Sequence, residues 1–342
     1  MSELGIRILG GRVSGTVRSR ALAVGLALLA VCVVATAASL ALGRYTVSIP
    51  DILAVLTGGG SDDVRRVVWE WRMPRALAAV ALGCALGASG ALFQSLTRNP
   101  LGSPDIIGFN MGAYTGVLIT MLLGAVSYAA IAGGALFGGT ATALAVYALA
   151  RRNGLRGFRL IVIGIGVSAL LGSVNTWIVV KGDLSLAMQA AVWGAGSLNG
   201  VTWAQVGPSV VCVGLLLLLA GAMAPHARQL ELGDDSAAAR GIHVERLKGL
   251  IIVTGAALTA VVTAVAGPIG FIALAAPQLA HRMVGRADSL NLPLAALMGA
   301  ALLSVSDIVA LHAFGVALPV GAVTVCIGGA YLVWLLARET GR

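Results

Sequence analysis

The sequence predicts an all-α polytopic membrane protein with about ten transmembrane helices, on three observations. Of 342 residues, 58% are hydrophobic and 11% charged, and the mean hydropathy is +0.94. A soluble domain usually holds about 25% charged residues, so a water-soluble core explains this composition poorly. Apolar runs of roughly 20 residues, enough to cross a bilayer as a helix, recur along the chain. The basic residues cluster between those runs.

Taken in order, the expected spans are 21–43, 76–94, 108–126, 128–150, 159–180, 205–224, 250–267, 269–285, 293–313 and 320–337. Short connections make several of them helical hairpins. Orientation follows from the excess of Lys and Arg in cytoplasmic loops. With the N-terminus inside, Arg7, Arg12, Arg18 and Arg20 are cytoplasmic, as are Arg151, Arg152, Arg156 and Arg159. Arg228, Arg240, Arg246 and Lys248 follow, then Arg282, Arg286, Arg338 and Arg342. Only Arg44, Arg65, Arg66, Arg72, Arg75 and Lys181 fall outside. An even span count, with both termini cytoplasmic, keeps this bias; an odd one breaks it. The expected division is a cytoplasmic segment 1–20, one transmembrane domain 21–337 with a cytoplasmic loop 225–249, and a cytoplasmic tail 338–342.

Net charge is +9, from 23 Lys+Arg against 14 Asp+Glu. In a soluble protein that excess would point to nucleic acid; here it reads as the orientation signal, and no nucleic-acid partner is expected. Cys32, Cys84, Cys212 and Cys326 all lie within apolar runs without a CxxC pair, as small hydrophobes do. The long apolar run from Ala21 to Gly43 lacks a small-residue cleavage pattern and is not read as a removable signal. Among 46 glycines, Gly83/Gly87, Gly112/Gly116 and Gly134/Gly138 recur four apart, the spacing that lets helix backbones approach in lipid.

No catalytic constellation is present. There is no GxxxxGK[ST], so the chain has no P-loop for nucleotide phosphates. His226, His243, His281 and His312 lack the i, i+4 pairing of a helical metal site. Asp307, in LLSVSDIVALHA, is the one acid well inside a span. A buried aspartate costs roughly 2.5–3.5 kcal/mol on insertion scales, which makes it a functional candidate. It reads either as a proton-relay carboxylate or as an acceptor for Ser304, Ser306 or a neighbouring helix end. With no second membrane acid or lysine to pass protons along, the structural reading leads.

What results has the shape of a transporter without an engine. A charged, Ala-rich island, LELGDDSAAARGIHVERLKG at 230–249, interrupts two of the most apolar segments. Asp234 or Asp235 can cap a short helix, and Gly241 can end it in the left-handed conformation. IHVERLKG then leads back into the membrane. The expectation is a helix–turn–helix knob with an Ala237-Ala238-Ala239 face; a plain linker needs neither caps nor such a face.

The sequence resembles the FecCD-type permease subunits of bacterial ABC importers for iron–siderophore complexes and cobalamin. The resemblance rests on WEWRMPRALAAVALGCALGASGALFQSLTRNPLGSPDIIGFNMGAYTG, LELGDDSAAARGIHVERLK, VAGPIGFIALAAPQLAHRMVG and LPVGAVTVCIGG, in order from Tyr45 to Ala337. Within that family, GFNMGAYTGVLI, FRLIVIGIGVSALLGSVNTW and WGAGSLNG are most similar to the ferric-enterobactin subgroup. The resemblance implies a cobalamin-importer-type permease fold in the bacterial inner membrane. It implies partners too: a second FecCD-type permease, two ATP-binding subunits and an extracytoplasmic siderophore-binding protein, besides membrane lipid. No cofactor is expected on this chain, ATP and Mg being used by the partner ATPase. It further implies that Asp234, Asp235, Ser236, Ala238, Arg240, Gly241 and Glu245 couple to that ATPase. Arg72 and Arg75, in Arg-Met-Pro-Arg, would dock acidic groups of the binding protein. Leu311, Ala317 and Pro277-Gln278 depart from the family pattern, which points to a heterodimer whose partner supplies the missing docking groups. The leading function is a non-enzymatic permease for a ferric siderophore of catecholate, enterobactin-like type; the rival is a proton-coupled carrier using Asp307.

Overall fold

A helix occupies each of the ten expected stretches in the computed structural model. It describes every residue except 1–2, 9–12, 44, 106, 126, 152–156, 286–289 and 341–342. Arg12, Arg44, Arg152, Arg156, Arg286 and Arg342, used above for orientation, lie outside the described residues.

Two strands, β1 (Glu3–Ile8) and β2 (Val13–Arg18), open the chain as an antiparallel hairpin in register from Glu3↔Arg18 to Ile8↔Val13. The helical body then begins with α1 (Ser19–Ala41). A short α2 (Ile49–Leu56) follows, capped by the Ser48 hydroxyl on the Asp51 N–H, with Pro50 in its first turn. Pro costs nothing there, because that N–H has no intrahelical acceptor. Next, α3 (Asp62–Arg65) passes through a π-helical turn, Arg66–Arg72, into α4 (Met73–Thr97), making one rod from Asp62 to Thr97. The order continues with α5 (Phe109–Leu122), α6 (Tyr128–Arg151), α7 (Gly157–Lys181) and α8 (Leu184–Gly194). Then come α9 (Trp203–Glu231), α10 (Asp234–Ala239), α11 (Val244–Ala266) and α12 (Ile272–Val284). The last two are α13 (Leu292–His312) and α14 (Val320–Thr340).

Among the described residues, seven rods are long and apolar enough to cross a membrane: α1, the Asp62–Thr97 rod, α6, α7, α9, α11 and α13. The apolar helices α5 and α8 are shorter, and α14 is apolar over 320–331.

The axis of the molecule is α4, with 78% of its apolar window buried against 11% for α7. It packs against α9, α11, α12 and α13. Glycine makes that possible. A Cβ on Gly83 would sit 2.5 Å from the Gly299 carbonyl oxygen, and one on Gly87 would collide with the Ala295 carbonyl. The α5–α6 pair repeats the device with Gly112 and Gly116 against Gly138 and Gly134. In lipid, where burial of apolar surface does not drive helices together, such close backbone packing does. All three glycine pairs read from the sequence thus serve packing.

Candidate functional site

At the knob, α10 is short and its N-cap is Gly233, in a positive-φ conformation (+116°) with no side-chain cap bond. Asp234 therefore does not cap, contrary to the expectation. As the first helical residue, it turns its carboxylate to two cations instead. Oδ2 accepts from Lys248 Nζ at 2.6 Å, and Oδ1 pairs with the Arg98 guanidinium. Arg98 itself sits at φ +50° just past α4 and donates through Nε to the Leu230 carbonyl at 2.9 Å. One carboxylate thus ties the knob to the end of α4 and the first turn of α11, and Arg98 ties it to the end of α9. The two pairs are unequal. The Arg98 and Asp234 side chains are each 43% exposed, so that contact is worth about 1 kcal/mol or less. The Lys248 side chain is 6% exposed, so taking Asp234 away deprives a nearly buried ammonium of a carboxylate, which costs more.

Gly241 adopts φ +81°, as the sequence reading required, and lets the chain reverse into α11. The three alanines do not share a face. Ala237 is fully buried against the body, while Ala238 and Ala239 are exposed, because each helical residue rotates about 100° from the last. Asp235, Ser236, Ala238, Arg240 and Glu245 all lie on the outer surface of the knob.

At the other end, Arg75 and Asp307 meet. Nε and Nη2 of Arg75 donate to Oδ2 and Oδ1 of Asp307, both at 2.8 Å, a bidentate pair. Nη1 reaches Asn199 Oδ1, in the segment between α8 and α9. The side chains are 13% and 2% exposed. The expected serine donors do not serve Asp307: Ser304 shares its small gap, yet its buried hydroxyl has no partner among the described residues. Arg72 donates to the carbonyls of Leu40 at 2.6 Å and Tyr45 at 2.5 Å, closing the open end of α1. In this conformation, both arginines proposed for docking hold internal partners. The Trp203 indole N–H donates to the Trp69 carbonyl at 2.7 Å and clamps the π-helical turn to α9.

Between the two ends, Asn110 donates to the Asp105 carboxylate at 2.5 Å. Burial pushes Asp105 up to about 6, against a hydrogen bond from the Phe271 backbone that lowers it. Phe271 is the positive-φ residue (+67°) that precedes α12. No group of three or more His, Cys, Asp or Glu suited to a metal occurs among the described residues.

Arg98, Lys248, Asn199 and Asp105 were not singled out in the sequence. The usable signal lies in the two acids themselves: Asp234 at one end and Asp307 at the other each need a cation nearby.

Comparisons with known proteins agree with this geometry. Residues 29–338 match the FecCD transport family. The ferric enterobactin transport system permease protein FepG of Escherichia coli (strain K12) is 48% identical over 327 residues, covering 95% of this chain and 99% of that protein. A probable siderophore transport system permease protein, YfhA of Bacillus subtilis (strain 168), is 36% identical over 88% of this chain and 90% of its own. A solved inward-facing metal-chelate type ABC transporter matches with a TM-score of 0.83 at 25% identity, covering 93% of this chain and 99% of that one.

Proposed function

The chain belongs to the FecCD transport family, and from that premise we propose that it is the permease subunit of an ABC importer carrying a ferric siderophore, enterobactin-like, across the inner membrane. The observation that carries the mechanism is the anchoring of the knob. Asp234 joins it to α4, the buried axis of the body, and to α11. A push on the knob therefore reaches the helix with the most neighbours, and does not dissipate in a loop. The sequence holds no GxxxxGK[ST] motif, and in this reading the push comes from a partner ATPase, using ATP and Mg and seated on Asp235, Ser236, Ala238, Arg240, Gly241 and Glu245. Asp234 acts as the anchor behind that surface. ATP binding and hydrolysis then bias inward- and outward-facing states of one domain, 21–337.

The further parts of the reading are ten spans with both termini cytoplasmic, a second FecCD-type permease as heterodimer partner, and an extracytoplasmic binding protein on the outer rim. Arg72 docks that protein by exchanging backbone carbonyls for incoming carboxylates, which accept more strongly, and Arg75 docks while keeping Asp307. Asp307 is the resident counter-ion of Arg75.

The test is uptake of ferric enterobactin into vesicles holding the chain with its three kinds of partner. Uptake driven by ATP and unaffected by collapse of the proton gradient supports the importer. Uptake that follows the proton gradient without ATP overturns it.

A further inference from the structure

A cavity of about 390 Å³ opens between the cytoplasmic ends of α9 and α11 and the turn that joins α10 to α11. Its polar lining is His226 and Gln229 from α9, Arg240 and His243 from the turn, and Arg246 from α11, with half-exposed Leu250 below. No carboxylate lines it; Glu245, the neighbour of Arg246, does not.

Four other cations on this face have partners. Arg20 donates to the Met283 carbonyl, Arg228 to the Leu290 carbonyl, and Arg98 and Lys248 hold Asp234. The side chains of Arg240, Arg246, His226 and His243 have no hydrogen bond or ion pair among the described residues. Two full positive charges therefore face one small cavity without compensation.

Its level in the membrane follows from helix periodicity. Val211, Leu215 and Leu219 are exposed on α9, and His226 follows Leu219 by seven residues, on the same face. On α11, Arg246, Leu250 and Val253 lie at i, i+4 and i+7, and both apolar members are more than half exposed. Each helix thus carries an exposed apolar stripe that ends, at the cytoplasmic side, in the lining of this cavity. Headgroup phosphates lie at that level, and basic pockets between helices there hold acidic headgroups.

We propose that the cavity is a binding site for the headgroup of an anionic phospholipid. Arg246 holds the phosphate from α11, His226, His243 and Gln229 complete the rim, and Leu250 receives the first methylenes of the acyl chains, while Arg240, at the outer lip, stays with the ATPase surface. An acidic segment of the ATPase would satisfy the same charges, but it would arrive from the cytoplasm and have no use for the apolar stripes. The inference rests on the membrane orientation proposed above and not on ATPase coupling.

The experiment uses the purified full chain in detergent. Retention of dioleoyl phosphatidylglycerol, dioleoyl phosphatidylcholine and inorganic phosphate is read by native mass spectrometry and by thermal shift. The expected result is selective retention of phosphatidylglycerol, and an affinity about fivefold lower in Arg246→Gln, from the ~1 kcal/mol each basic residue contributes near an anionic surface. Arg246→Lys should keep most of the binding, which separates loss of the site from loss of the fold, and Lys181→Gln should be unchanged. Equal retention of both lipids overturns the proposal, as does undiminished selectivity in Arg246→Gln. An equal thermal shift from inorganic phosphate alone would make it a free-anion site and overturn the lipid assignment. Loss of ATPase co-purification in Arg246→Gln with lipid binding intact would assign the cavity to the ATPase and overturn it likewise.

Discussion

Removing the carboxylate of Asp307 is the perturbation with the clearest expected magnitude. Arg75 reaches it with two bonds of 2.8 Å, and both side chains are largely out of water. An exposed pair of this kind is worth about 1 kcal/mol or less. Here, Asp307→Ala leaves a buried guanidinium with only the Asn199 carbonyl, and breaking a buried pair from one side costs about 3–5 kcal/mol. Asp307→Asn keeps one acceptor in place and should cost about half as much. Arg75→Gln should be nearly as harmful as Asp307→Ala, since it leaves the carboxylate buried. In Arg75→Gln with Asp307→Asn, two neutral amides can bond to each other, so the loss should fall well short of the sum. The assay is equilibrium unfolding in mixed micelles across all four proteins, with ATP-driven uptake measured in parallel. Asp307→Asn should retain substantial uptake. Single losses under about 1 kcal/mol that simply add would show the pair to be solvent-screened and refute the argument. Abolished uptake in an Asp307→Asn protein of unchanged stability would refute the structural role.

At the knob, Ala238→Arg should leave insertion intact but prevent ATPase co-purification, because it places a bulky charge on the contact surface; Gly241→Val should do the same by forbidding φ +81°. Normal uptake in either would reduce the knob to a linker. For docking, Arg72→Gln should weaken affinity for the binding protein several-fold; Arg75 is unsuitable for charge reversal, since a glutamate there would face Asp307. Asp105 predicts a pH dependence. Its folded pKa, about 6 against an ordinary 3.8, means the native state holds the proton more tightly. That contribution is fully present below about pH 4 and lost as pH rises through about 6. Two pKa units correspond to about 3 kcal/mol, and solvent access to this partly exposed residue lowers that to about 1–2. Asp105→Asn should flatten unfolding free energy over that window, and an unchanged pH slope would sink the assignment. For topology, cysteines replacing Asp62 and Ser236 in a cysteine-free background should be labelled from opposite sides only.

Much of the body was legible because its signals are local. Each apolar run reports its own helix, whatever surrounds it. Gly83, Gly87, Gly112, Gly116, Gly134 and Gly138 reported close packing, because a missing Cβ every fourth residue marks one helix face. The β1–β2 hairpin carries a local signal too, in the alternation of Leu4, Ile6 and Ile8 and of Val13 and Val17, but the basic residues of the same segment speak more plainly for orientation than for strands. Gly241 was legible at the knob, because a left-handed turn between two helices is a local demand on the backbone.

The charges were not legible in the same way. Asp307 was conspicuous in the sequence, but its partner stands 232 residues away. Only the antiparallel packing of α4 on α13 sets Arg75 beside it. Asp234 looked like a cap because it heads a short helix; it became an anchor because the ends of α4 and α11 deliver Arg98 and Lys248 to the same spot. Hydropathy and turn geometry are properties of neighbouring residues, so the sequence alone determined the helices and the existence of a knob. A carboxylate takes whichever cation the fold brings within about 3 Å. That choice depends on distances between helices far apart in the chain, and only the tertiary structure decides them.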